Sequence, residues 1–158
     1  MATQVVQSRG IYHGLPAYPD DVQGLTAIVT GANGISGYHM LKVLSEAPRR
    51  WKKIYCLSRR PPVVAGGLPA NAEFIACDFL QEPETIAEVL RRQNVQADHV
   101  FFFSYVQPPP KEGGGLWSDV DELVRVNVAL LENFLSALEH ADITPKRIML
   151  QTGGKNYG

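Results

Sequence analysis

The run Thr30-Gly31-Ala32-Asn33-Gly34-Ile35-Ser36-Gly37 has the residue types and spacing for binding a diphosphate. Its glycines follow a Gly-x-x-Gly-x-x-Gly pattern between an apolar run and a helix-like stretch. Gly31 suits the tight turn, Gly34 lets backbone approach a pyrophosphate, and Gly37 lets helix and strand pack closely. N–H groups at the helix start then face the phosphates, and the helix dipole adds to the attraction. Such a triplet also occurs in ordinary strand–helix turns, so the flanking elements decide in favour of a dinucleotide.

The reader of the adenosine ribose is expected about 20 residues past the glycines. Ser58-Arg59-Arg60-Pro61 stands there. An acid would bond the ribose hydroxyls and repel a 2′-phosphate. Two guanidiniums match such a phosphate in geometry and charge. NADPH is therefore expected over NADH, with a solvated basic loop as the plain alternative. Asp78 can accept from an adenine amino group or simply precede a helix that starts at Pro83. Cys56 and Cys77 lie in no CxxC or Cys/His grouping, so neither a disulfide framework nor zinc is expected. His13, His39, His99 and His140 show no ligand spacing, so no metal is expected.

These residues need elements to position them. The chain has 158 residues, enough for one domain, and 45% are hydrophobic, enough for a core. A net charge of −1 lacks the basic excess of a nucleic-acid or membrane-surface binder. No apolar run is long enough to span a bilayer and no signal-peptide order is visible, so a reducing, cytoplasmic setting is the plain reading. Residues 1–23 read as a leader arm, punctuated by Gly10, Gly14, Pro16 and Pro19. Strands are expected at 25–30, 54–58, 73–77, 99–105 and 147–152. A helix is expected over 35–46, with Ile35, His39, Leu41, Val43 and Leu44 on one face. A second should run from Pro83 to about Arg92, carrying Ile86, Val89 and Leu90 inward. A third, capped by Ser118 or Asp119, should reach His140 with Leu123, Val126, Asn127, Leu130, Leu131, Phe134 and Leu138 inward. Asn127 reads as a structural amide bonding a neighbouring strand, and Trp51 and Trp117 as packing or loop anchors.

The alternation predicts an α/β fold over residues 24–158: a Rossmann-type doubly wound parallel sheet of order 3-2-1-4-5. A complete domain of this kind usually adds another strand, so the sheet is expected to be truncated after the fifth. The open edge of that strand predicts either self-association, as in a homo-oligomer, or only marginal stability of the chain on its own.

With Cys77-Asp78-Phe79, Val100 to Tyr105 and the final Leu150-Gln151-Thr152-Gly153-Gly154-Lys155-Asn156-Tyr157-Gly158 added, the chain resembles the extended short-chain dehydrogenase/reductases. Within them it is most similar to the progesterone 5β-reductase and iridoid synthase (PRISE) group of enone reductases, over roughly residues 24–158. The resemblance implies that Lys155 is catalytic and that Gln151 and Ser104 contact the cofactor. It also implies that Asn33, Gly34 and Ile35 line the phosphate turn, Arg59 and Arg60 read the 2′-phosphate, and Asp78 and Phe79 meet the adenine. It implies NADPH as cofactor and a small enone or carbonyl substrate. Ser104-Tyr105 departs from the Thr-Trp usual in that group. Tyr157 belongs to the lysine string and is not the group's catalytic tyrosine, which lies further on with the substrate-binding portion. Two other functions remain open: a non-catalytic nucleotide-binding remnant, and an NAD-dependent sugar-nucleotide epimerase, against which the arginine pair speaks.

Overall fold

The computed structural model describes residues 6–9, 12–16, 19–115 and 118–153. Near the start, β1 (Val6–Arg9) and β2 (Tyr12–Pro16) form an antiparallel hairpin. The sequence reading held only an arm here. Both strands are edges, where glycine and proline are tolerated, so the punctuation that hides any period does not forbid pairing.

The main sheet is wholly parallel. It contains β3 (Leu25–Thr30), β4 (Trp51–Ser58), β5 (Ala72–Ala76), β6 (His99–Phe102) and β7 (Arg147–Leu150) in the order β5-β4-β3-β6-β7. Counting only these five strands, that is 3-2-1-4-5, as expected. Three helices connect them: α1 (Ile35–Ser45), α2 (Pro83–Arg92) and α3 (Val120–His140).

Alternation along the strands splits the core into two layers. Ala27, Val29, Ile54 and Cys56 point to the α1 side, where Leu41, Leu44 and Trp51 cover them. Ile28, Tyr55, Leu57, Val100 and Phe102 point to the α2–α3 side, onto Ile86, Leu90, Leu130 and Phe134. Trp51 is a packing residue, its indole edge-on to His99 and Phe101.

The expected face of α1 holds at Leu41 and Leu44 and fails at its other three positions. Ile35, His39 and Val43 are exposed, Ile35 at 83%, while Gly37, Leu41 and Leu44 are buried. Positions 37, 41 and 44 share one helical face. Its contact point is a glycine, which carries no hydrophobic signal in a sequence. The other helices match expectation. Pro83 opens α2, and Asp119, not Ser118, caps α3 by accepting from the Glu122 N–H at 3.2 Å. Ser118 Oγ instead accepts from the Lys111 N–H at 2.9 Å.

At the N-terminal end of the strands, Asp98 ties three segments together. Its Oδ2 accepts from the Thr26 N–H at 2.8 Å and the Thr26 hydroxyl at 3.0 Å, and its Oδ1 meets Lys146 Nζ at 2.7 Å. Lys146 above all, then Thr26, holds the Asp98 carboxyl below its usual range.

Both cysteines are free and buried. Burial pushes the Cys56 thiol up to about 12, and burial with neighbouring Asp78 does the same for Cys77. Thiolate, not thiol, is the nucleophile, so both should be inert at pH 8. An Ellman titration should find no fast thiol in the folded chain and two in denaturant; prompt labelling of either in the native state contradicts this. No helix among the described residues is long and apolar enough to cross a membrane.

Candidate functional site

The site is built where β3 ends. Thr30 is fully buried, and its Oγ1 accepts from the N–H groups of Phe103 at 3.0 Å and Ser104 at 3.1 Å. This draws the chain leaving β6 onto the glycine turn. It also explains why β6 stops at Phe102 although the apolar run continues: the next amides serve Thr30, not the ladder. The fifth strand likewise ends at Leu150, two residues earlier than expected.

Gly31 has φ +64°, and a Cβ there would lie 2.8 Å from the carbonyl carbon and oxygen of Phe103. The position needs glycine for its conformation and for the close approach. Gly34 N–H donates to the Gly31 carbonyl at 2.9 Å, closing the turn. Gly34 is the N-cap of α1; no side chain caps it, and the first turn carries no acid. The positive end of an 11-residue helix therefore stays open to an anion. A Cβ at 31 or 37 would run into backbone, of Phe103 and of the turn itself respectively, whereas Gly34 has room above it, which fits a diphosphate group passing over the turn.

Two clefts meet at the turn and share Gly31, Gly34, Ser104 and Tyr105. One, of about 340 Å³, is lined by Asn33, Ser58, Arg59, Arg60, Asp78 and Phe79 among others. The other, of about 760 Å³, is walled by Ile35, Phe103, Tyr105, Leu123, Val124, Val128, Leu131 and Leu150, with Gln151 at its rim. A cationic cleft on one side of a phosphate turn and a larger, mostly apolar one on the other suit the two ends of a dinucleotide.

All the sequence-selected residues but one converge here. Asp78 is half-buried, and its Oδ1 accepts from the Leu80 N–H at 3.1 Å. The Phe79 ring is a core group packed on Phe102 and Phe134, so it can offer the cleft chiefly backbone. Gln151 is exposed, its N–H donating to the Phe102 carbonyl at 3.2 Å. Lys155 and Trp117 lie outside the described residues. Asn127 is structural: Nδ2 donates to the Val106 carbonyl at 2.8 Å and Oδ1 accepts from the Val106 N–H at 2.9 Å. Sequence reasoning missed Thr30 and the valine wall of α3. A threonine closing a strand carries no signal of its partners, and Val124 and Val128 fall outside the core stripe.

The model of the NAD dependent epimerase/dehydratase family matches residues 27–158. The chain belongs to that family. This epimerase/dehydratase-family chain is 32% identical over 134 residues to the short chain dehydrogenase gsfE of Penicillium aethiopicum, covering 84% of this chain and 33% of the relative. It is 29% identical over 141 residues to an (S)-8-oxocitronellyl enol synthase of Camptotheca acuminata, covering 88% and 33%. The chain thus spans about a third of the length of these curated relatives. Among solved structures, a putative epimerase from Burkholderia cenocepacia covers 87% of this chain and 40% of its own, at 21% identity and a TM-score of 0.61. A short chain dehydrogenase from Leptospira borgpetersenii with bound NAD+ covers 84% and 52%, at 20% identity and a TM-score of 0.56. These two likenesses establish the Rossmann-like fold. The family is one of NAD(P)-binding oxidoreductases and epimerases.

Proposed function

We propose that this chain forms the nucleotide-binding part of an NADPH-dependent reductase of the progesterone 5β-reductase and iridoid synthase group, acting on an enone or carbonyl compound. The observation that carries the cofactor choice is at the end of β4. Arg59 and Arg60 are exposed beside the glycine turn, and among the described residues neither is held in an ion pair. No carboxylate stands there to bond ribose hydroxyls. Two uncommitted guanidiniums suit a 2′-phosphate.

In this reading the α1 N-terminus holds the diphosphate, and Asp78 accepts from the adenine amino group. Ser104 and Gln151 border the nicotinamide end. The bound cofactor supplies hydride. The resemblance gives Lys155 the role of stabilising, together with a tyrosine phenol, the charge that would develop on the substrate oxygen. The apolar wall of the larger cleft suits a small, weakly polar substrate. The plant relative is named for making an enol, the product class that conjugate reduction of an enal gives before tautomerising. A reducing, cytoplasmic setting fits the two free thiols.

The test is a fluorescence titration with both reduced cofactors. A charge-assisted phosphate contact contributes about 1.5–3 kcal/mol, so NADPH should bind at least about tenfold tighter than NADH. Equal affinity, or tighter NADH, removes the NADPH reading and favours an NAD-dependent epimerase.

A further inference from the structure

Asn33 lies in the phosphate turn, yet its amide is engaged away from it. Its Nδ2 donates to the Arg60 carbonyl at 2.9 Å, and its Oδ1 accepts from the Val63 N–H at 3.2 Å. Ser58 Oγ donates to the same Arg60 carbonyl at 2.7 Å. One acceptor with two lone pairs therefore takes two side-chain donors, one from each flank of the smaller cleft. The residues between are stiff. Arg60 precedes Pro61, which disfavours the helical region for its backbone. Pro61 and Pro62 have fixed φ and no N–H, and Pro62 is buried. Val63 is the first residue after them that can donate, and it donates to Asn33. Both ends of the segment are thus pinned to the glycine turn, while the two arginine side chains stay exposed.

We propose that Asn33 and Ser58 are positioning residues that set cofactor choice: they clamp the 59–63 loop so that Arg59 and Arg60 face a 2′-phosphate. The proposal rests on the NADPH reading above and adds a device to it. A guanidinium fork favours a phosphate only when its base is held, because each long side chain ordered on binding costs entropy. Loosening the base weakens the 2′-phosphate contact alone. NADH, which lacks that phosphate, is indifferent to it. A side chain that touched the shared part of the cofactor would act on both.

The experiment measures NADPH and NADH affinity for the full chain and for Asn33→Ala, Ser58→Ala, the double variant, Arg59→Ala and Arg60→Ala. Amide exchange at Val63 is followed in parallel, and thermal melts check folding. Each clamp variant should weaken NADPH about three- to tenfold, the worth of one hydrogen bond, and leave NADH within about twofold. Asn33→Ala should also speed Val63 exchange. Equal weakening of both cofactors overturns the clamp in favour of direct contact. So does unchanged NADPH affinity in the double variant. If the arginine variants collapse the NADPH preference and the clamp variants do not, the clamp fails and the NADPH reading stands. If the arginine variants leave the preference intact, the arginines are not its readers and both fail.

Discussion

Gly37→Ala is expected to weaken nucleotide binding strongly and to destabilise the fold. An alanine Cβ at 37 would run into the carbonyl oxygen of Gly31, and would also lie 2.7 Å from the Gly31 carbonyl carbon and 2.9 Å from Ala32 Cα. These are backbone atoms at the floor of the turn, so no side chain can swing aside. Relief requires α1 to move off β3, taking the open helix end with it. Overpacking of this kind costs about 1–3 kcal/mol, and the displaced helix end should lower affinity on the order of a hundredfold. Gly34→Ala is the control. Its Cβ would meet only the Gly31 oxygen, at 3.4 Å, so the fold should hold while the bound diphosphate is crowded. Titration of NADPH together with a thermal melt separates the two effects. A Gly37→Ala chain that binds and melts like the wild type would show that the turn is not the cradle.

The removal of Asp98 should produce the second large loss. In Asp98→Ala the Thr26 N–H and hydroxyl and the Lys146 ammonium all lose their partner. A part-buried amide left unpaired and a severed charged contact together cost about 2–4 kcal/mol at neutral pH. The direction with pH follows from the lowered carboxyl. Its contribution is fully present above the unfolded value of about 3.9 and fades as pH falls through the lower folded value. Urea melts of wild type and variant should therefore differ by a constant amount near neutrality and converge in strong acid. A gap that persists unchanged into strong acid, where the folded carboxyl is itself protonated, would mean that packing, not the charged network, sets the loss.

The strand order was legible because β3, β4 and β6 are nearly continuous apolar runs, the pattern of strands covered on both faces. Pro83 and Asp119 marked helix starts through local chemistry, and Asn127 declared itself as a polar residue on an apolar stripe. What stayed hidden has one physical cause. Thr30, Asn33 and Asp98 act through partners distant in sequence, and a polar side chain has no periodicity to reveal them. The resemblance implies that Asn33 lines the phosphate turn; what it does not reveal is that the Asn33 amide also ties this turn to the loop that carries the arginines. On α1 hydrophobicity marks Leu41 and Leu44 correctly but not Ile35 and Val43, because closeness of approach at Gly37 decides which face packs.

The Thr30 hydroxyl takes its two donors from residues 73 and 74 positions further along. During synthesis the glycine turn leaves the ribosome several seconds before the residues that hold it in place, at ordinary elongation rates of about 5–20 residues per second. In that interval β3 can pair only with β4, and its other edge is open. The entropy of closing so long a loop must be overcome before β6 returns any contact. Completion of both clefts is therefore a late event, because Phe103, Ser104 and Tyr105 wall each of them. A nascent chain halted between α1 and β6 carries all three glycines and an unfinished site.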